Sequence, residues 1–255
     1  MAITNRRIRE NLAKVQKSLA LQGGAIHHVS GHFARDCVPI VAFAQRSPDN
    51  WARVATFVLL TMRQSFITMA RQMTDTDRDG SASKWLYGWK RDSFRAIHES
   101  KLALHAESLR FARGEIDLDS LILAYLALPG FGIVKASFLC QMTVADGACL
   151  DVHNLDRMGL RLDAFNCSKT LTVATIRARI AAYNRIWAAQ GDSAYWWDSW
   201  CNYVAVRRRK WFPYGGAQCS AIHPDVILTA ERNPLKGVNE HSRNPARRNR
   251  NRVRN

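Results

Sequence analysis

The sequence predicts a mostly α-helical protein. Apolar residues recur at three- and four-residue spacing along most of the chain, and helix-start and helix-stop residues bracket those runs. The apolar–polar alternation of half-buried strands is scarce. At 255 residues the chain is long enough to bury a substantial core, as one large or two small domains. Hydrophobic residues make up 47%, with no apolar run of about 18 residues, so a membrane span is not expected.

Lysine and arginine number 37 against 21 acids, a formal charge of +16. Such an excess favours polyanions, because each phosphate neutralised releases condensed counterions. Charge alone does not choose between nucleic acid, ribosome and an acidic surface. The opening M-A-I-T-N-R-R-I-R carries no apolar stretch before a cleavage site. No secretory signal is therefore expected, and the compartment expected is the cytoplasm of a bacterial cell or of a virus-infected cell. The six cysteines are widely scattered without a C-x-x-C pair, which excludes a zinc ribbon and reads as reduced, mostly buried thiols.

Ile8, Leu12, Val15 and Leu19 mark an amphipathic basic helix over residues 4–20, ended by Gln22-Gly23-Gly24. His28 and His32 have metal-ligand spacing, but Ser30 and Gly31 interrupt any helix between them, and no metal site is expected there. Ser47-Pro48-Asp49-Asn50 is a helix start before Trp51, Val54, Val58 and Leu59. Asp75-x-Asp77-x-Asp79-Gly80 opens like a calcium loop, yet Leu86 stands where the twelfth-position glutamate is needed, so a solvated acidic turn is expected. The aromatics of W-L-Y-G-W-K, Trp85 to Lys90, offer faces for base stacking or belong to the core.

Phe94, Ile97, Leu104 and Phe111 run through a helix that ends at Gly114. Asp117 or Asp119 caps the next short helix, over residues 120–127. Its end enters the central stretch, L-P-G-F-G-I-V-K-A from Leu128 to Ala136, with the acid Asp151 beyond. Pro129 breaks the first helix, and Gly130 and Gly132 are free to take positive φ and leave no side chain between backbone and ligand. A second helix starts near Ile133, and the unpaired N–H groups at its start favour a phosphate. Asp151, between Leu150 and Val152, starts a further helix anchored by Leu155, Met158 and Leu160.

This stretch resembles the signature of the helix-hairpin-helix (HhH-GPD) DNA glycosylase superfamily, a hairpin L-P-G-x-G-x-x-x-A followed about twenty residues later by V-D-x-H. Leu128, Pro129, Gly130, Gly132, Ala136, Asp151 and His153 match residue by residue. The resemblance covers roughly residues 50–205 and implies a two-lobed helical fold with a cleft between the lobes and the hairpin on its rim. It implies Asp151 as the catalytic carboxylate. It also implies that the backbone of Gly130, Phe131, Gly132, Val134 and Lys135 clamps a DNA phosphate, directly or through a bound monovalent or divalent cation.

The segment A-T-F-V-L-L-T-M-R-Q-S-F resembles the superfamily's buried helix, which makes Thr61, Arg63 and Gln64 candidates for base pocket or wedge. Members that cleave by Schiff-base chemistry carry a lysine two residues after the second glycine. Val134 stands there, and Lys135, one residue on, is rotated by about 100° along a helix. A monofunctional, water-using reaction is therefore implied. The four-cysteine iron–sulfur loop of some members is absent from the sequence, and no cofactor or protein-held metal is expected.

Further along, Val173, Ile176, Ile180, Tyr183 and Trp187 mark an amphipathic helix, and Tyr195, Trp196, Trp197, Trp200 and Tyr203 crowd the last one. Arg207, Arg208, Arg209 and Lys210 follow as nonspecific DNA contacts, since four consecutive cations cannot share one buried face. The final thirteen residues hold six arginines and no acid, the composition of a disordered basic tail. The division expected is an N-terminal basic extension over 1–46, the glycosylase-like domain over 47–212 and a C-terminal extension over 213–255. The expected partner is double-stranded DNA, bound by a monomer. Two other functions fit: phage-type hypermodification of a DNA base on the same fold, and noncatalytic DNA binding through the hairpin and tail.

Overall fold

The computed structural model describes residues 31–62, 66–79, 86–160, 165, 167, 171–207 and 227. They form nine helices: α1 (His32–Ala44), α2 (Pro48–Leu60), α3 (Phe66–Asp79), α4 (Gly88–Arg113), α5 (Leu118–Tyr125), α6 (Ile133–Val144), α7 (Val152–Arg157), α8 (Val173–Ala188) and α9 (Ser193–Arg207). Among the described residues there is no strand, and no helix is long and apolar enough to cross a membrane.

Helix α2 is the axle. Ser47 caps its start by accepting the Asn50 N–H at 3.2 Å, with Pro48 in the first turn, where its missing N–H costs no hydrogen bond. From Trp51 to Leu60 every residue but Arg53 is buried, so this helix has no solvent face and packs against α1, α3, α4 and α6. The Trp51 indole donates to the Tyr125 hydroxyl at 3.1 Å, which lies 3.3 Å from the Thr143 hydroxyl. α6 is the second central helix, touching α1, α2, α4 and α5.

α1 buries Phe33, Cys37, Ile40, Val41 and Ala44 in this same core. The boundary expected between residues 46 and 47 therefore falls inside the packing of one unit. The reason is an apolar stripe on α1 that α6, α2 and α9 cover. Asp198 of α9 accepts the otherwise orphaned Phe33 N–H at the start of α1, at 2.8 Å.

Asp75, Asp77 and Asp79 lie in the last part of α3 instead of in a turn. There the Thr76 hydroxyl donates back to the Gln72 carbonyl at 2.9 Å. Asp117, the first of the two candidates, caps α5 by accepting the Ser120 N–H at 2.8 Å. Gly114 ends α4 in the left-handed conformation. Residues 1–30 and the segment after residue 207, apart from Ile227, lie outside the described residues, and with them the basic N-terminal helix and the arginine tail.

Candidate active site

The hairpin forms between α5 and α6 as a turn held by backbone and by α4. Phe131 N–H donates to the Leu128 carbonyl at 3.1 Å, and the Ser93 hydroxyl of α4 lies 2.7 Å from the Pro129 carbonyl. Gly130 has φ of 77°, and a Cβ there would come within 3.1 Å of the Trp89 ring and 3.3 Å of the Ser93 oxygen. Both its conformation and its surroundings require glycine. Gly132 differs from expectation: at φ of −98° it is extended, because it serves as the residue that opens α6, and no side chain caps that helix start. Phe131 is buried, Val134 and Lys135 are half-buried, and Gly130 is exposed. Tyr87 and Trp89, beside this turn, are 60% and 40% exposed, so these two aromatics of W-L-Y-G-W-K stand at the surface.

The segment from Asp146 to Asp151 crosses from α6 to α7 without regular structure and is fixed at nearly every residue. Gly147 has φ of 93° and lies so close to α6 that a Cβ would meet the Ser137 carbonyl oxygen at 2.8 Å. Its carbonyl accepts from the Ser193 hydroxyl at 2.5 Å. Ala148 N–H donates to the Ser137 hydroxyl oxygen at 3.1 Å. The Tyr183 hydroxyl of α8 donates to the Ala148 carbonyl at 2.6 Å and accepts the Leu150 N–H at 2.9 Å. The Asn154 amide donates to the Cys149 carbonyl at 2.8 Å.

Gly147→Ala therefore meets both a disallowed φ and a backbone collision. It is expected to cost about 3 kcal/mol of folding stability. Denaturant unfolding followed by circular dichroism checks this, and a change under about 0.5 kcal/mol would contradict the packing argument.

Asp151 ends the segment and caps α7. One carboxylate oxygen accepts the Asn154 N–H at 3.0 Å and the other accepts the Trp200 indole N–H of α9 at 2.8 Å. Trp200 stacks on Trp197 with centroids 6.1 Å apart, and Trp197 on Phe138 of α6 at 6.2 Å. The Lys135 ammonium lies 5.1 Å from the Phe138 ring centroid and 3.3 Å from the Thr61 hydroxyl oxygen. A continuous path of side chains thus joins Thr61 and Lys135 at one end to Asp151 at the other, with three aromatic rings between.

The Cys149 thiol feels both charged ends. Burial pushes it up to about 12, Lys135 pulls it down and Asp151 adds to the rise. No family model, no curated protein and no solved structure matches this chain. What the site can do follows from its own residues.

Several expected site residues meet here and others are not described. Thr61, Lys135 and Asp151 belong to the path above. Arg63, Gln64, Arg208, Arg209 and Lys210, together with the side chains of Arg207 and His153, lie outside the described residues. Among the described residues no group of three or more His, Cys, Asp or Glu side chains is placed to hold a metal.

Two residues beyond those expected also enter the site. Trp200 orients the carboxylate from 49 positions away. Lys90 of α4 is fully buried, and its ammonium donates to the Met62 carbonyl at 2.6 Å and reaches the Leu60 carbonyl at 3.5 Å. Burial first, and then the charge of Lys135, push it down to about 8.

Proposed function

We propose that this chain is a DNA glycosylase-like enzyme. It turns a damaged or modified base out of duplex DNA and hydrolyses the N-glycosidic bond by a monofunctional route, leaving an abasic site. The observation that carries the proposal is the Asp151 carboxylate, held at both oxygens beside an aromatic stack and following a glycine hairpin.

As the bond to C1′ lengthens, positive charge grows on the sugar. A carboxylate whose orientation is fixed in advance stabilises that charge without reorganising. Trp200, half-buried at the end of the stack, supplies flat apolar surface beside Asp151, and the buried Trp197 and Phe138 rings hold it in place. The hairpin backbone holds a neighbouring phosphate, and the +16 charge of the chain draws in the duplex.

The test is to incubate the protein with duplexes carrying damaged and phage-type modified bases, then measure free base and alkali-labile sites. Release of base with matching abasic sites supports the proposal. A mass change on a base that stays attached to its sugar establishes base modification instead, and binding without any chemistry establishes a DNA-holding protein.

Trp200→Phe keeps an aromatic ring against Trp197 and removes the pyrrole half of the indole, with the N–H that orients Asp151. Single-turnover base release is expected to fall about tenfold, with DNA affinity unchanged. An unchanged rate would show that the carboxylate needs no such orientation.

A further inference from the structure

We infer that Asp198 is a positioning residue for Asp151. Protonated, it lets α9 close on α1 and bring Trp200 to the Asp151 carboxylate; ionised, it drives α9 outward and slackens that hydrogen bond. Its use in catalysis rests on the glycosylase reading above, whereas the contact between Trp200 and Asp151 is measured directly.

Helix α9 joins the two acids physically. Phe33 and Asp36 lie within one turn at the start of α1, and that turn meets two neighbouring residues of α9. The Phe33 N–H donates to Asp198 at 2.8 Å, and the Trp197 indole donates to Asp36 at 3.3 Å. Two buried carboxyl groups therefore oppose each other across the contact between α1 and α9. Trp200 follows Asp198 by two residues, about 200° around a helix. It leaves α9 on the side away from α1 and donates to Asp151 at 2.8 Å.

The two acids are unequally provided for. Asp36 accepts from the Arg35 guanidinium at 2.8 and 3.3 Å besides the Trp197 indole. Asp198 accepts the Phe33 N–H with one oxygen, and its other oxygen is buried with no hydrogen-bond partner among the described residues. A charge there lacks the arginine that Asp36 holds and faces a like charge; a proton removes both penalties.

The other titratable neighbours do not replace that arginine. Arg35 attracts Asp198 but directs its hydrogen bonds to Asp36 and His32. Burial pushes the His32 imidazole down and the Cys37 thiol well up. Cys201 of α9 is buried as well, and Asp192 adds a further negative charge. Burial first, and then the facing Asp36, hold the Asp198 carboxyl up at about 6, so its proton leaves as pH rises through that value.

Of the two helices, α9 is the one that yields. Its start is pinned by Ser193, whose hydroxyl donates to the Gly147 carbonyl at 2.5 Å and whose carbonyl accepts the Gln141 amide at 2.7 Å. Beyond that pin it packs chiefly on α1 and less extensively on α7, whereas α1 is packed against α6 and α2 as well. An outward push at Asp198 therefore turns α9 about Ser193, and the displacement grows toward Trp200.

The experiment follows the indole N–H signals of the full chain, carrying isotope-labelled tryptophan, by NMR between about pH 5 and pH 8. Wild type, Asp198→Asn and Asp36→Asn are compared, with the Trp200 signal identified by its loss in Trp200→Phe. In wild type that signal is expected to move upfield as its hydrogen bond slackens, with a midpoint at about 6, while the Trp51 and Trp187 indoles, bonded within the core, stay in place. Asp198→Asn keeps an oxygen for the Phe33 N–H and is expected to hold the Trp200 signal at its acid position throughout. Asp36→Asn is expected to lower the midpoint, because the facing charge is gone.

A Trp200 signal that stays still in wild type would overturn the assignment, as would one that titrates equally in Asp198→Asn, which would give the proton to another group. An unchanged midpoint in Asp36→Asn would overturn it too, because the push on α9 comes from that acid. Movement of every indole signal together marks loss of the fold instead of a turn of one helix, and counts against it equally. None of these outcomes bears on release of free base, by which the glycosylase proposal is judged separately.

Discussion

Replacing Asp151 by asparagine is expected to lower base release by about 10³-fold while leaving affinity for duplex DNA within about twofold. The asymmetry follows from what the side chain does in the fold. Asparagine caps helices as well as aspartate, so its oxygen continues to accept the Asn154 N–H and α7 keeps its start. The other oxygen, which accepts the Trp200 indole N–H, is replaced by an amide that cannot accept it. The negative charge that the proposed reaction sets against the sugar is gone. Rates of base release and a melting curve on the same preparation separate lost chemistry from lost structure. A variant that folds, binds DNA and works at the wild-type rate would show that the carboxylate is only a helix cap.

The second large effect concerns stability and pH. Asp198 is 3% exposed, and one of its oxygens has no hydrogen-bond partner among the described residues. Burial first, then the nearby Asp36, push its carboxyl up to about 6 from an ordinary 3.8, against the Phe33 N–H, which favours the charged form. A carboxyl raised on folding contributes stability that is fully present below its unfolded value and is lost as pH rises through its folded value. Wild type should therefore lose roughly 3 kcal/mol from this group between about pH 4 and pH 7, at about 1.4 kcal/mol per pH unit.

Asp198→Asn retains an oxygen for the Phe33 N–H and carries no charge, so it should be more stable than wild type at pH 8 and show a flatter pH dependence. Urea unfolding of both proteins at pH 4.5, 6 and 8 measures this. Parallel curves would mean that Asp198 is not strained by burial. Asp49 and Asp117 shift the opposite way, which is why the comparison is made as a difference between the two proteins.

The parts of this fold that the sequence announces are those written in local chemistry. Ser47 and Asp117 cap their helices because a short oxygen-bearing side chain lies within reach of N–H groups three residues on. Pro129 and Gly130 end α5 and turn the chain for the same kind of reason, and Asp151 caps the helix after it. Gly132 departs from its expected positive φ because opening a helix calls for extended backbone, which glycine adopts as readily. Leu160, expected to anchor α7, is 37% exposed, since α7 has already ended at Arg157.

What the sequence conceals is pairing at a distance. Nothing around Trp200 in S-A-Y-W-W-D-S-W distinguishes the indole that meets Asp151 from those that fill the core. Gly147 looks like one more loop glycine until α6 is laid against it. The burial of Lys90 has no signal in its aromatic stretch, because its partners are carbonyls about thirty positions earlier, and backbone atoms leave no trace in side-chain patterns.

That lysine has a wider meaning. Helices commonly stop at a glycine of their own, but the last carbonyl of α2, at Leu60, and that of Met62 just beyond it face an ammonium borrowed from α4. Thr61, which meets Lys135, therefore stands between the two carbonyls that this ammonium reaches. A neutral residue at position 90 would leave two interior oxygens unanswered, and the damage would surface at Thr61 and Lys135 although no solvent touches the altered atom.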